Sequence, residues 1–382
     1  MPSFELTEEQ QLVQQTAREF ARRELAPMAE KRDAEEIFPE PELNKLAELG
    51  LLGVNVPEEY GGAEAGVVAY SLAISELARA CPSTTVAVAV TNMVAEVICH
   101  YGSEEQKDRH VNAITGGEYS SAAFALSEPH SGSDASALKT TARPTDKGWV
   151  LNGTKQWITS GDHAGVIVVW ARTSDAPGHK GISTFLVDAG TPGMEVGPHE
   201  NKMGIRGSTT VPLIFEDCEL PADAIMGHEG QGFPVAMTAL DGGRVGIGSQ
   251  AVGIGHAALD EARKYALERT AFGKPIGGLQ AIQWMIADSA TELEAARMLT
   301  LRAAWLKERK RIFTREASIA KVYASEMCNR VCYRALQIHG GYGYVKEYPI
   351  ERLTRDARVT TIYEGTSEIQ RLVIARTLLR DA

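Results

Sequence analysis

Trp149-Val150-Leu151-Asn152-Gly153-Thr154-Lys155-Gln156-Trp157-Ile158-Thr159 is where the chain changes its periodicity. Two short apolar runs flank an Asn-Gly pair, the dipeptide that most readily takes the positive φ of a tight hairpin, so the segment reads as two strands joined at Asn152-Gly153. Similar runs follow at 166–171, 182–187 and 211–215, bounded by turn residues and without long helical patterns between them. Residues 120–230 therefore read as a β domain with antiparallel pairing, a barrel or sandwich. Within it, Trp157-Ile158-Thr159 places an aromatic face two residues from a hydroxyl, able to pack on a planar ring and bond its edge. A core tryptophan is the plainer alternative.

On either side the period is helical. From Thr7 to Tyr119, Leu12, Val13, Ala17, Phe20, Ala21 and Leu25 recur at spacings of three and four. Breaks at Phe38-Pro39-Glu40-Pro41, Val56-Pro57, Gly61-Gly62, Cys81-Pro82-Ser83 and Gly116-Gly117 divide this part into about five helical segments. After Gly232 longer runs at 252–268, 279–307, 314–339 and 367–379 predict a four-helix bundle. Ala287, Ala290, Leu293, Ala295, Ala296 and Leu299 allow close helix packing there, also against a second subunit. The expected class is α+β: a helical domain over 1–119, a β domain over 120–230 and a helical bundle over 231–382.

Composition narrows the function classes. The chain has 382 residues, 44% hydrophobic and 23% charged, as in ordinary globular proteins. A net charge of −11 and the lack of a basic cluster interleaved with aromatics argue against a nucleic-acid partner. Cys81, Cys99, Cys218, Cys328 and Cys332 are odd in number and form no Cys-x-x-Cys pair, so neither a disulfide framework nor a metal site is expected. From Leu6 the chain enters Thr7-Glu8-Glu9-Gln10, a capping box, without the apolar core of a signal peptide. The most apolar stretch, 84–99, contains Asn92 and Glu96 and reads as no membrane span. A cytoplasmic protein is the expectation.

Several short constellations carry chemistry. In Thr361-Ile362-Tyr363-Glu364-Gly365-Thr366-Ser367-Glu368-Ile369-Gln370, a carboxylate sits between an apolar approach and a glycine. Lost hydration raises its pKa and suits it to proton abstraction, although Thr366 or Ser367 capping the next helix explains the segment as well. Phe124-Ala125-Leu126-Ser127-Glu128-Pro129-His130-Ser131-Gly132-Ser133-Asp134 offers hydroxyls and backbone N–H groups at the helix-to-sheet junction, or is simply a connecting turn. Arg269-Thr270-Ala271-Phe272-Gly273 joins a cation, an aromatic and a glycine at a helix end, fit for a diphosphate and an adenine or for mere termination. Gln337-Ile338-His339-Gly340-Gly341 exceeds what termination requires and favours close backbone approach to a ligand, yet it follows a helix and is no dinucleotide fingerprint. Asp241-Gly242-Gly243-Arg244 opens the bundle, with Arg244 free for an anion or held in a salt bridge.

These motifs, in this order and with Lys202-Met203-Gly204-Ile205-Arg206-Gly207-Ser208 between them, resemble the acyl-CoA dehydrogenase family over nearly the whole chain. The resemblance is closest to short-chain and short branched-chain members in the last third, which brings fatty acid β-oxidation or branched-chain amino acid catabolism into view. It implies FAD, an acyl-CoA substrate, electron-transfer flavoprotein as acceptor, and a homotetramer built as a dimer of dimers. By position Glu364 is the base that removes the α-proton, giving a trans-2-enoyl-CoA. Phe124, Leu126, Ser127, Trp157, Ile158 and Thr159 are the implied flavin contacts. Arg269, Phe272, Gln280, Gln337, Ile338, Gly340, Gly341, Thr366 and Glu368 are the implied diphosphate and adenosine contacts, some across a subunit interface. Ser133, Asp241, Arg244 and Gly365 are the implied substrate contacts.

Some relatives carry the base immediately before the arginine matching Arg244; here that position is Gly243. His130 and Ser131 replace smaller residues usual in the flavin loop. Ala87 and Thr91, four apart on a helix, are expected to line the acyl tail. An acyl-CoA oxidase, a flavin monooxygenase of the same fold and a non-catalytic helical scaffold are the rival readings; oxygen uptake and the capacity to take up FAD separate them.

Overall fold

A computed structural model describes residues 5–380. The N-terminal part comprises α1 (Glu8–Phe20), α2 (Ala29–Glu35), α3 (Glu40–Glu48), α4 (Gly66–Ala80), α5 (Pro82–Tyr101), α6 (Glu104–Gln106) and α7 (Asn112–Thr115). Thr7 forms the expected capping box with Gln10. The 3.6-residue pattern slips at the end of α1, where the chain makes a π turn over Ala21–Leu25 before Pro27. Phe20 and Leu25 are thereby buried while Leu12, expected on the same face, is exposed. α5 is long and apolar enough to cross a membrane by composition, and most of it lies inside the protein. Asn92 uses its amide there as a core staple, accepting from the Val54 N–H and donating to the Leu51 and Val88 carbonyls.

The sheet contains β1 (Ser121–Ala125), β2 (Thr141–Thr145), β3 (Gly148–Thr159), β4 (Ala164–Arg172), β5 (Ile182–Asp188), β6 (Met194–Val196), β7 (Thr210–Pro221) and β8 (Ile225–Met226). Its path is β6-β7-β3-β2-β4-β5-β8, with β1 paired to β4. Antiparallel pairs dominate, but β4 runs parallel to β1 and, at Thr141 opposite Arg172, to β2. β4 is buried on both faces, as parallel strands usually are: Ile167, Val169 and Ala171 face the sheet's own core, while Val166, Val168 and Trp170 face the helices.

Asn152-Gly153 makes no hairpin. β3 runs straight through it, with a register shift against β7 between Leu151 and Gly153, and Asn152 bonds both ways to Asp217. The pair serves a bulge. The tight turn lies six positions earlier, at Asp146-Lys147 between Thr145 and Gly148.

The C-terminal part contains α8 (Gly232–Glu268), a small hairpin of β9 (Thr270–Ala271) and β10 (Lys274–Pro275), α9 (Gln280–Glu308), α10 (Thr314–His339), α11 (Pro349–Val359) and α12 (Ser367–Arg380). α8 starts twenty residues before the expected 252, and Asp241-Gly242-Gly243-Arg244 lies inside it. Its glycines serve packing: a side chain at Gly253 would fall 2.3 Å from the Ser75 carbonyl of α4.

All three parts meet at Lys202–Ser208. Asp356 of α11 accepts from the Ile205 N–H at 2.6 Å, Arg206 pairs with Glu36, and Arg355 grips Asp33 through two nitrogens at 2.7 and 3.0 Å while also binding Glu351. Burial pushes the Asp356 carboxyl up to about 7. Arg355→Ala strands two half-enclosed carboxylates and is expected to lower stability by about 2 kcal/mol, more than an exposed ion pair is worth. The urea midpoint reads it; an unchanged midpoint would leave the junction without energetic weight.

Candidate active site

The turn between α11 and α12 is built from the sequence Thr361–Thr366. The Ile362 and Tyr363 N–H groups both donate to the Val359 carbonyl, and the chain then reverses at Glu364 (φ +52) and Gly365 (φ +86). Two fully buried side chains hold the reversal. Gln370 donates to the carbonyls of Glu364 and Gly365 at 3.1 and 2.9 Å, and Lys321 donates to the Gly365 carbonyl at 2.8 Å. Thr366 caps α12 through a weak 3.4 Å bond from the Ile369 N–H, so a helix start and an enclosed carboxylate coexist in one turn. Glu368 lies exposed in the first turn of α12.

Glu364 as a residue is partly open, but its Oε2 is enclosed and has no hydrogen-bond partner. Burial accordingly dominates its titration and pushes it up to about 7, against the pull of Lys321 and then Arg244. Burial drives Lys321 the opposite way, down to about 7. The Glu364 N–H donates to no described group. A methyl built on Gly243 falls 2.5 Å from Glu364 Oε2, so the two base positions that the family resemblance offers converge on one place in space.

Arg244, one residue on, is buried in an ion pair with Asp241 at 2.5 Å, and Asp241 accepts also from the Thr314 hydroxyl. The salt-bridge alternative is therefore the structure's, although Arg244 Nε is enclosed without a partner. Ser133 is exposed on the loop after β1. Thr91 turns toward the sheet, its hydroxyl accepting from the Ala122 N–H of β1. Ala87 shares that face, whereas Ala89 and Met93, two residues further round the helix, face the glycines of α8. The expected tail-lining pair thus faces the sheet and not α8.

Trp157 owes its position to a second bulge. The β3–β7 register shifts between Lys155 and Ile158, Trp157 takes φ +63, and its side chain stands 60% exposed while Ile158 is buried in the sheet core. Ile158 thus offers a ligand backbone only, and Thr159 continues the ladder opposite Thr210. The facing loop is strapped down: the Ser127 carbonyl accepts from the Gln156 N–H at 2.9 Å, and the Leu126 carbonyl from Lys155 Nζ at 3.2 Å. Phe124 packs on Trp170, ring centres 4.3 Å apart. Lys155 and Glu128 form a buried ion pair at 2.8 Å, and Glu128 also accepts from the Lys139 and Thr140 N–H groups.

The remaining candidates assemble elsewhere. A cavity of about 700 Å³ gathers Arg269, Ile338, Gly340 and Gly341 with Tyr265, Tyr342 and Tyr348. Arg269 lies over the Tyr342 ring. Phe272 tops the β9–β10 hairpin, with φ +53 and 90% exposed. Neither it nor the exposed Gln280 and Gln337 lines the cavity. Lys155, Glu128, Lys321 and Gln370 escaped sequence reasoning; a lone lysine inside an apolar period is the signal that marks two of them.

Three family models cover the chain end to end: the N-terminal domain of acyl-CoA dehydrogenase over residues 7–118, the middle domain over 123–218 and the C-terminal domain over 230–379. The chain belongs to the acyl-CoA dehydrogenase family. It is 52% identical to the human short-chain specific acyl-CoA dehydrogenase, mitochondrial, over 99% of this chain and 92% of that one. Butyryl-CoA dehydrogenase from Megasphaera elsdenii superimposes with a TM-score of 0.97 at 41% identity, covering 99% of this chain and all of that one. A chain solved in work on the electron transferring flavoprotein of Acidaminococcus fermentans gives a TM-score of 0.98 at 44% identity, with full coverage of both. As an acyl-CoA dehydrogenase family member the protein is an oxidoreductase. The flavin that this family implies suits the residues present: an indole held outward at positive φ beside a strapped loop, and an open cradle at Gly340-Gly341 where added side chains would meet nothing within 4 Å.

Proposed function

We propose that the protein oxidises an acyl-CoA thioester to the trans-2-enoyl-CoA, with Glu364 taking the α-proton. The observation that carries this reading is the enclosed, unpartnered Glu364 Oε2, its pKa raised to about 7 and its oxygen set against Gly243 of α8. A carboxylate so placed gains a proton readily at the operating pH. The free Glu364 N–H is the donor for the developing enolate oxygen, a contribution of roughly 3 kcal/mol where such donors are preorganised. Gln370 and Lys321 supply that preorganisation by fixing the carbonyls on either side of the turn. Asp241, Arg244, Gly365 and Ser133 are assigned to the CoA thioester.

FAD is the cofactor of this reading and, when bound, accepts the β-hydrogen as hydride. Trp157, Thr159, the Ile158 backbone, Phe124, Leu126 and Ser127 hold its ring. Arg269, Phe272, Gln280, Gln337, Ile338, Gly340, Gly341, Thr366 and Glu368 hold its diphosphate and adenosine. Exposed Trp284, Tyr333, Leu378 and Leu379 on α9, α10 and α12 support a homotetramer. The likeness to the Acidaminococcus chain supports electron-transfer flavoprotein as the acceptor. We extend the reading to a cytoplasmic enzyme of fatty acid or branched-chain acyl oxidation.

Anaerobic mixing of the FAD-loaded protein with acyl-CoAs, following flavin bleaching, tests it: no bleaching with any acyl-CoA sinks the reading. Lys321→Met refines it. Removal of the nearest cation is expected to move the pH inflection of bleaching, near 7 in the wild type, upward by about one unit, since an opposite charge at close range holds a carboxylate pKa down by about that much. An unmoved inflection means Lys321 only holds the backbone.

A further inference from the structure

α8 turns a second glycine toward the side chains packed beside Glu364. A methyl built on Gly246 falls 2.6 Å from the Tyr70 hydroxyl and 3.8 Å from Ala89 Cβ, just as one on Gly243 meets Glu364 and, at 3.0 Å, Met93 Sδ. Tyr70, on α4, is 5% exposed, and the charges of Glu96 and Glu364 both reach it. One face of α8 therefore runs from the base to the phenol, walled by Met93 and Ala89 of α5. Three residues of helix rise about 4.5 Å. Two carbon–carbon bonds at about 1.5 Å each take about 3 Å of it, and a third takes all of it.

We propose that Tyr70 is the floor of the acyl pocket and sets its specificity, admitting straight chains to about butyryl length and excluding longer ones. The inference rests on the acyl-CoA reading above. Its logic is steric: with α8 reduced to hydrogen atoms at 243 and 246, Glu364 and Tyr70 close on the helix about one turn apart, and the Tyr70 ring fills the place where a fifth carbon would go. The face used is that of Ala89 and Met93, not that of Ala87 and Thr91.

Bleaching of the FAD-loaded holoenzyme with butyryl-, hexanoyl- and octanoyl-CoA reads this without any variant: kcat/KM is expected to fall at least about tenfold from butyryl to octanoyl. Tyr70→Ala and Tyr70→Leu are each expected to raise the octanoyl-to-butyryl ratio by at least about tenfold, while Tyr70→Phe, which keeps the ring, changes it by less than about threefold. A wild type that takes octanoyl-CoA as readily as butyryl-CoA overturns the proposal, as does an unchanged ratio in an FAD-loaded Ala or Leu variant. A wild type that bleaches with no acyl-CoA overturns the acyl-CoA reading instead.

Discussion

Glu364→Gln is expected to keep its FAD and to lose about 1,000-fold in bleaching rate with every acyl-CoA, because general-base assistance of this kind contributes between about 100- and 10,000-fold. Residual rates within about tenfold of wild type would put the base elsewhere. The same change should reveal what the base costs the fold. Burial raises Glu364 to about 7 from an ordinary 4.5, so above pH 7 the unfolded chain ionises it freely while the folded chain pays about 3 kcal/mol. The sign follows directly. The penalty is absent below about pH 4.5, grows as pH rises, and is complete above the folded pKa. Glu364→Gln should therefore melt higher than wild type at pH 8 and no higher at pH 4.

Lys155→Met is expected to cost about 3–5 kcal/mol and to release FAD, because it leaves Glu128 buried without its counter-charge and the Leu126 carbonyl without its donor. In the intact pair burial drives Lys155 down to about 8; burial also pulls Glu128 upward most strongly, but the lysine's charge together with the hydrogen bonds from Lys155, Thr140 and Lys139 outweighs it, and the Glu128 pKa ends below the usual range. Without Lys155 the Glu128 pKa rises above its unfolded value, so the deficit should shrink as pH falls toward 4. Glu128→Gln combined with Lys155→Met removes the stranded charge and is expected to recover much of the loss. Equal destabilisation of single and double variants would show that packing, not charge, matters there.

The helix–sheet–helix order was legible because each part keeps its own apolar period over long runs, and period is what burial imposes on sequence. Asn152-Gly153 misled for a definable reason: its readiness for positive φ serves a bulge as well as a hairpin, and only the partner strand decides between them. Gly242-Gly243 misled similarly. Glycine stops a helix when nothing packs against it, and here Glu364 and Lys307 crowd the place of the missing side chains. Glu364 itself was legible through its apolar approach. Lys321 and Gln370, which hold its turn, were not, since they lie 43 positions before and 6 after it and converge only in the fold.

The clasp at Lys202–Ser208 bears on how the protein is made. Its ion pair between Asp33 and Arg355 spans 322 positions, and its Asp356–Ile205 bond spans 151. A ribosome adding about 5–20 residues each second releases Asp33 many seconds before its arginine exists. Through that interval the α2 face and the 202–208 segment wait without their partner, and closing so long a loop is slow. The nascent chain is thus most in need of a chaperone late, after the sheet is complete and before α11 emerges, and a chain ending just before Arg355 lacks both the arginine and the Asp356 that close the clasp.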